Sequence, residues 1–390
     1  MTDQIDELPA LVAALIDRTL GLEMQAFLGE QFDAGLAWVH HDPGDGGLSL
    51  PRSLQSLVDH ALAAAGRLSD WHRNPMGIGM CGPAIAVHGT QEQRARYLRP
   101  IFTAEEIWCQ LFSEPGAGSD VATLATRAVP DGDGWIVNGQ KVWTSWGALA
   151  DFGLLLGRTD PDVPKHSGLT AFLVDMHTPG VEVRPLRQMT GESEFSEVYL
   201  TDVRLPDSAR LGAVGSGWQV AITTLMNERV SIGGSVDPRS SGPIADALET
   251  WRHTRPHSPV QRDVLAGLWI QAEVLRLAKI RAQQLRTSSG TPGAEGSMLK
   301  LGSAVLAQEI RSFVLDLLAE QGMIAYDPDD PPKSRDGDNR AAHFLWSPSH
   351  TIVGGTSDVM RGIIGERVLG LPKEEAADRG VPWRSIPQGA

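Results

Sequence analysis

The hydrophobic spacing of this chain changes twice along its length, and this change restricts the possible folds more than any other feature. Up to about residue 108, apolar residues such as Leu54, Leu57 and Leu62 recur at helical intervals. Short runs rich in strand-forming residues follow as far as Leu211, with Gly, Pro and Asp turns between them. From Gly215 onward the helical pattern returns. The order helix, strand, helix predicts an α+β protein with more than one domain.

The predicted elements can be placed approximately along the chain. Strands are expected within residues 134–137, 152–156, 170–174, 181–183 and 197–200, and long helices at about 216–234, 258–288, 296–323 and 350–369. We therefore predict an N-terminal helical domain (1–108), a middle β-barrel or sandwich domain (109–213) and a C-terminal four-helix bundle (214–390).

The charge and the cysteine content limit the classes of function. A net charge of −14 over 390 residues argues against nucleic acid as the main partner, because phosphate binding requires a basic surface. Cys81 and Cys109 have no metal-ligand spacing, so no metal site is expected. Asp3, Asp6 and Glu7 have the wrong charge for a secretory or mitochondrial signal, and no apolar run reaches membrane-spanning length. These features predict a soluble, cytoplasmic protein with reduced thiols.

The segment from Gln110 to Ser145 carries the most distinctive motif, QLFSEPGAGSDVATLATRAVPDGDGWIVNGQKVWTS. A tight Gly-Ala-Gly-Ser-Asp turn, a Ser-Glu-Pro sequence that can form hydrogen bonds and an aromatic-hydroxyl Trp-Thr-Ser end occur together. An ordinary β-hairpin does not require this combination. It indicates a site for a flat ligand with a polar edge and an apolar face, and an isoalloxazine ring fits that description.

Several short motifs follow one another in a characteristic order. They are GTQEQ at 89–93, SEPGAGSD at 113–120, NGQKVWTS at 138–145, GGTSD at 354–358 and ERVLG at 366–370. In this order, and with this arrangement of domains, the chain resembles the acyl-CoA dehydrogenase family of flavoproteins over nearly its whole length. The resemblance implies an FAD-dependent enzyme that removes a Cα proton and a Cβ hydride from an acyl-CoA thioester, as part of lipid metabolism and fatty acid β-oxidation.

The resemblance also implies roles for residues of the β region. The main-chain groups of Gln110 and Phe112 and the hydroxyl of Ser113 match positions that bond the pyrimidine edge of the flavin. Trp143 would lie against the ring, and the Ser145 hydroxyl would approach N5. The alternative for Trp143 is a buried aromatic of the β domain, and for the serines a turn-capping role.

Further contacts are implied outside the flavin edge. Gly118 and Ser119 match a segment that contacts the bound acyl-CoA. Thr356 and Asp358 match a contact with the phosphate and ribityl side of FAD. Thr356 also follows two glycines at the start of a predicted helix, which is typical of an N-cap, and the two roles are compatible.

Two positions in the sequence are candidates for the glutamate that acts as catalytic base in this family. Many family members place a glutamate immediately before the Gly-Thr of the last long motif, where this chain has Gly354. Other branches place a glutamate before an arginine on an earlier helix, and Glu228-Arg229 occupy that position here. The resemblance therefore implies Glu228 as the base and Arg229 close to the substrate, with the Gly354 N–H polarising the thioester carbonyl. The alternative for Glu228 is a solvated helical glutamate paired with a neighbouring charge.

Two motifs that bind the adenosine pyrophosphate of FAD in the family differ in this chain. Residues 254–259 read TRPHSP, without the expected phenylalanine, and residues 320–325 read EQGMIA in place of a glycine-rich turn. The sequence does not identify the residues that bind the pyrophosphate. It also does not identify the acyl group, and short, branched, medium-chain and steroid-like thioesters are all compatible with it.

The resemblance also implies partners. An electron-transferring flavoprotein would accept the electrons, and the assembly would be a homodimer or homotetramer, or a hetero-oligomer with a related subunit that completes the flavin site. The alternative function is a non-catalytic or flavin-holding subunit of such a hetero-oligomer. An acyl-CoA oxidase is disfavoured by the chain length, and a DNA-binding relative by the acidic charge.

Overall fold

The computed structural model describes residues 2–67, 71–233, 238–254, 258–289, 295–323, 339–373, 375–376 and 378–386; the side chains of residues 2–4, 71, 228–233, 286–289, 295 and 323 lie outside that description. The chain divides into two compact units. The first comprises residues 1–186, 195–227 and 377–390, and the second residues 187–194 and 228–376. The predicted boundaries at residues 108 and 213 belong to a finer division and stay a prediction.

The described ranges alternate between helices and strands as the hydrophobic spacing predicts. The helices are α1 (Thr2–Arg18), α2 (Met24–Asp33), α3 (Gln55–Ala64), α4 (Gly82–His88), α5 (Gln91–Thr103), α6 (Gly217–Gly233), α7 (Pro243–His253), α8 (Pro259–Ser289), α9 (Glu295–Leu318), α10 (Arg340–Trp346) and α11 (Ser357–Arg367). The strands are β1 (Trp108–Leu111), β2 (Arg127–Asp131), β3 (Gly134–Ser145), β4 (Phe152–Arg158), β5 (Leu169–Asp175), β6 (Val181–Leu186), β7 (Phe195–Pro206) and β8 (Arg210–Leu211). The predicted class, helical segments on both sides of a β region, is confirmed. None of the helices in the described ranges combines the length and apolar character needed to cross a bilayer.

Helix α5 shows how the N-terminal helices are joined to the sheet. It begins with a capping box, in which the Thr90 hydroxyl accepts the Gln93 N–H at 3.2 Å and the Gln93 side chain accepts the Thr90 N–H at 3.0 Å. The Gln93 amide also donates to the carbonyls of Ser208 and Arg210, at 2.9 and 3.0 Å. The same residue therefore starts the helix and binds it to the chain around β8.

The eight strands form one hydrogen-bonded sheet in the order β6-β7-β3-β2-β4-β5-β8, with β1 paired in parallel to β4. Strands β4 and β5 are almost continuously buried, which explains their uninterrupted apolar runs. Alternate side chains of these strands enter different cores: Leu154 packs with the N-terminal helices, whereas Leu155 packs with strand residues such as Val137 and Val198. The second core joins residues of β3 and β7 to those of β4 and β5, because the sheet curves around it.

The second unit is built around α7, α8 and α9. Ile244 of α7, Leu268 of α8 and Val314 of α9 share one buried core. Helix α7 lies outside the helices expected from the sequence, because its eleven residues follow a segment rich in Pro, Ser and Gly that is typical of a loop. Gly242 and Pro243 suit the start of a helix, with Pro243 at its first position.

Candidate active site

The end of β1 is fixed to β3 by backbone and side-chain contacts. Gln110 lies opposite Leu154 in the parallel β1–β4 ladder and is half-buried. The carbonyl of Phe112 accepts a hydrogen bond from Lys141 Nζ at 3.0 Å, and the carbonyl of Ser113 accepts the Val142 N–H at 2.9 Å. The residues that were predicted to bond the flavin edge therefore form a rigid segment beside β3.

A buried ion pair holds this segment in place. Lys141 is 0% exposed, and its ammonium lies 2.8 Å from Glu114 Oε1. The Glu114 carboxylate also accepts the N–H groups of Ala125 and Thr126, at 2.7 and 2.9 Å. Burial lowers the pKa of Lys141 to about 8 although Glu114 raises it. Burial raises the pKa of Glu114, but the Lys141 charge and the donated hydrogen bonds outweigh it, and the pKa lies below its usual value.

Trp143 lies in an irregularity of the β3–β7 ladder. The register shifts between Lys141 and Thr144, and Trp143 takes a left-handed backbone conformation with φ of 59°. Its side chain is 61% exposed and contacts the Phe195 ring edge-on, with the centroids 6.0 Å apart. The interpretation of Trp143 as a buried aromatic is therefore wrong. A bulge that turns an indole toward solvent at the cost of a strained backbone is a feature often found beside active sites.

The two serine hydroxyls that were predicted to contact the edge of the flavin have unused hydrogen-bonding capacity. Ser113 and Ser145 are half-buried, and within the described part of the chain their hydroxyls take no partner. Thr144 and Ser196, whose residues are paired across β3 and β7, are buried, and their hydroxyls also lack a partner in the described ranges. Thr144 and Ser196 are too buried to reach a ligand, so only the half-buried Ser113 and Ser145 are candidates for contact with one.

The Gly-rich turn after Ser113 is exposed except for Ala117, which packs into the core. Glu114 and Ala117 form a two-residue bridge, and Gly118 and Ser119 lie on the outer side of the turn. A Cβ built on Gly118 meets no heavy atom within 4 Å, so the space beside that backbone is open. The position is compatible with a ligand that approaches the main chain.

The second unit carries the Gly-Gly-Thr-Ser-Asp motif immediately before α11. Gly354 and Gly355 have φ values of 65° and 96°, a conformation that side chains rarely adopt. The Thr356 hydroxyl accepts the Val359 N–H at 3.3 Å, so the N-cap interpretation is confirmed. Asp358 is exposed in the first turn and pairs with Arg361 at 2.8 Å. The positive φ of Gly354 favours glycine, at the position where the resemblance implies a glutamate in many family members.

Glu228 and Arg229 lie on α6, whose backbone is helical, but their side chains are outside the described residues. The assignment of Glu228 as base and of Arg229 as a substrate contact stays a prediction. Of the motif at 254–259, Thr254 follows α7, Ser258 precedes α8 and Pro259 begins α8. Of the motif at 320–325, residues 320–323 lie in a short 3-10 turn, where Gln321 is exposed.

Sequence reasoning missed several positioning residues. Lys141 and Glu114 stand in the motifs at 138–145 and 113–120, and a lysine on the inward face of a strand requires a buried partner. Lys300 on α9 was not considered, yet its ammonium donates to the Gly355 carbonyl at 2.5 Å and holds the turn before α11. No local signal identifies Lys300, because its partner lies far away along the chain.

Comparison with known proteins identifies the family. The acyl-CoA dehydrogenase middle domain matches residues 109–203, and the acyl-CoA dehydrogenase C-terminal domain matches residues 215–369. Acyl-CoA dehydrogenase FadE34 of Mycobacterium tuberculosis is 39% identical over 343 residues, which are 87% of this chain and 45% of that protein. Acyl-CoA dehydrogenase IpdE1 of the same organism is 37% identical over 309 residues, covering 77% of this chain and 76% of the relative.

A solved structure agrees with these matches. One chain of the ChsE4–ChsE5 complex from Mycobacterium tuberculosis superimposes with a TM-score of 0.69 and 27% identity, covering 96% of this chain and 98% of that one. This chain thus spans nearly all of the matched solved chain but less than half of FadE34. The matches place the chain in the acyl-CoA dehydrogenase family, whose members are flavin-dependent oxidoreductases.

Proposed function

We propose that this protein catalyses the α,β-dehydrogenation of an acyl-CoA thioester with FAD and passes the electrons to an electron-transferring flavoprotein. The observation that carries the proposal is Trp143. Its indole is exposed by a bulge in β3, two residues before the half-buried Ser145 and beside a rigid β1 segment. This arrangement suits a flat ring with one polar edge.

The residues present fit a flavin chemically. Trp143 offers an apolar face, and Gln110, Phe112, Ser113 and Ser145 would bond the pyrimidine edge and N5 region. The two serine hydroxyls take no partner in the described ranges, which leaves them free to do so. FAD, when bound, supplies the acceptor for the Cβ hydride.

The motif at α11 would hold the ribityl and phosphate part of FAD. The N-terminus of α11 presents N–H groups that favour an anion. Thr356 caps this helix, so its hydroxyl also shapes the anion site. The Asp358 carboxylate accepts hydrogen bonds and repels phosphate, so its contact would be with a ribityl hydroxyl.

The protein groups in the reaction have separate tasks. Glu228 would accept the Cα proton, and the Gly354 N–H would donate to the thioester carbonyl and so favour the loss of that proton. Gly118 and Ser119 would contact the acyl-CoA, and Arg229 would lie close to it. An amide donor at residue 354 needs no side chain, which is consistent with glycine there.

Anaerobic titration of the flavin-loaded protein with a panel of acyl-CoA thioesters tests the proposal. We expect one class among the short, branched, medium-chain and steroid-like thioesters to bleach the oxidised-flavin absorbance and to produce a long-wavelength charge-transfer band. A flavin-loaded protein that no member of the panel bleaches would contradict the proposal.

A second candidate function is a flavin-holding or non-catalytic subunit of a hetero-oligomer. Two observations favour it: the altered pyrophosphate motifs at 254–259 and 320–325, and the similarity to a chain of the ChsE4–ChsE5 complex. A purified chain that stays colourless with FAD, but takes up FAD together with a related subunit, would support this candidate over the first.

A further inference from the structure

The segment of residues 378–386, here called the strap, lies along the loop between β4 and β5. The N–H groups of Trp383 and Arg384 donate to the carbonyls of Val163 and Pro161, at 2.9 and 3.0 Å. Arg384 also forms an ion pair with Asp162. The strap is far from this loop in the sequence, so these contacts fix it to the first unit.

Trp383 extends the contact to the chain that follows the Gly-rich turn. Its Nε1 donates to the Thr123 carbonyl at 3.0 Å, and the Arg158 guanidinium lies 4.6 Å from its ring centroid. Arg158 in turn donates to the carbonyls of Ala122 and Leu124, at 2.6 and 3.1 Å. The stacked Arg158–Trp383 pair therefore holds the carbonyls of Ala122, Thr123 and Leu124.

Lys165 connects the strap to the turn itself. Its ammonium lies 2.5 Å from both Asp378 of the strap and Asp120, the last residue of the Gly-Ala-Gly-Ser-Asp turn. Lys165 is only 13% exposed. Because two carboxylates surround it, Lys165 is poorly suited to bind a phosphate of the substrate, and its effect on a ligand is positional.

We propose that the strap, through Trp383 and Asp378, positions the Gly116–Thr123 turn for binding of the CoA thioester. The inference rests on the proposed function, since only that function places the substrate at Gly118 and Ser119. The Glu114–Ala117 bridge holds the near end of the turn, and Gly118 has open space beside it, so contacts at Asp120 and Thr123 hold the far end. The strap residues are positioning residues that do not touch the substrate.

Hydrogen exchange tests the structural half of the inference without any substrate. The Thr123 N–H donates to the Asp120 carbonyl, and the Leu124 N–H donates to the Val121 carbonyl. The exchange rates of these two amides report how firmly the turn is held. In Trp383→Ala and Asp378→Asn we expect their exchange to rise at least about fivefold, with the β4 amides unchanged. Trp383→Phe keeps an aromatic ring over Arg158. Its amide exchange rates should therefore lie between those of Trp383→Ala and those of the wild type. Unchanged exchange in Trp383→Ala would overturn the inference whatever the enzyme does.

Substrate kinetics and coenzyme A binding test the functional half. We expect KM for the reactive thioester, and Kd for coenzyme A itself, to rise about fivefold in Asp378→Asn, with kcat within about twofold of wild type. Asp131→Asn, which removes a carboxylate from an exposed ion pair with Arg204 of the same unit, is the control and should change neither. Altered exchange with unchanged KM and Kd would overturn the positioning role. A wild-type protein that neither binds coenzyme A nor is bleached by any thioester would refute the proposed function, while the exchange result would still decide whether the strap holds the turn.

Discussion

Trp143 is exposed and also strained, and the two properties have a common cause. A bulge between Lys141 and Thr144 gives Trp143 a φ of 59° and turns its ring outward. A left-handed conformation costs a residue other than glycine roughly 1 kcal/mol or more. A folded protein tolerates such a cost when the side chain has a function, and here we assign it contact with the flavin.

Replacement of Trp143 by glycine should separate the two effects. Glycine accepts the backbone conformation, so we expect Trp143→Gly to leave the unfolding free energy of the FAD-free protein unchanged or raised by ~1 kcal/mol. Loss of the ring should weaken FAD binding about tenfold, since aromatic stacking contributes about 1–3 kcal/mol. Denaturant unfolding measures the unfolding free energy, and fluorescence titration with FAD measures the affinity for FAD. Val129→Ala, at another exposed apolar position of the sheet, is the control, and equal FAD affinity in Trp143→Gly would refute the assignment.

The Lys141–Glu114 pair gives a prediction on stability. Lys141→Met leaves the Glu114 carboxylate buried without its cation, and such changes cost about 3–5 kcal/mol. The double variant Lys141→Met, Glu114→Gln removes both charges and should be more stable than Lys141→Met alone. Arg204→Met, which removes a cation from an exposed pair, should cost less than about 1 kcal/mol. Equal costs for Lys141→Met and Arg204→Met would show that the buried pair has no special role.

The same pair gives a prediction on pH. The pKa of Glu114 is lower in the folded chain than its usual value of 4.5. Its ionisation therefore contributes stability that is fully present above pH 4.5 and is lost as the pH falls through the folded pKa. From about pH 5 to about pH 3, the wild type should lose unfolding free energy more steeply than the double variant. Parallel pH profiles would contradict this.

At the level of elements, the turn before α11 combines a helix cap with the proposed contact to FAD. Thr356 caps α11, and Lys300 holds the preceding Gly355 carbonyl. Thr356→Ala should cost about 1 kcal/mol of unfolding free energy, because the Val359 N–H loses its acceptor. It should also weaken FAD binding, whereas Thr356→Ser keeps the hydroxyl and should preserve both. A Thr356→Ser protein as impaired as Thr356→Ala would mean that the methyl group, and not the cap, matters.

The elements also show which features can be predicted from sequence. Strands β4 and β5 were predictable, because burial on both faces requires a continuous apolar run such as Leu154–Leu156. The exposure of Trp143 was not, because it depends on a register shift between β3 and β7, which are distant in sequence. Thr356 was correctly predicted as a cap, since a cap is a local feature. The contacts of Lys141, Lys300 and Trp383 required the three-dimensional structure, because their partners are remote along the chain.

At the scale of the whole molecule, α8 indicates assembly. Its exposed apolar residues recur at intervals of about three to four residues or their multiples, as on one helix face: Val260, Val264, Ile270, Val274, Leu277 and Leu285. A stripe of this kind along one helix is typical of a protein interface. The homo-oligomer and the hetero-oligomer expected from the sequence would both use this stripe, and which of the two assemblies forms stays a prediction.

Light scattering distinguishes the two assemblies. For the homo-oligomer we expect a mass at least twice that of one chain, and a shift toward the monomer in Ile270→Asp, Val274→Asp. The control Val129→Asp, at an exposed position on the sheet, should not change the mass. A wild-type chain that is monomeric until a related subunit is added would contradict the homo-oligomer and favour the second candidate function.

We propose that Glu228 on α6 removes the Cα proton of an acyl-CoA thioester. The rate of anaerobic flavin reduction by the reactive thioester, compared in wild type, Glu228→Gln and the control Glu309→Gln, tests it most directly. Glu309 is an exposed helical glutamate of the same unit. We expect Glu228→Gln to bind FAD normally and to reduce it at least about 1000-fold more slowly, while Glu309→Gln behaves as wild type. Reduction by Glu228→Gln within a few-fold of the wild-type rate would contradict the account.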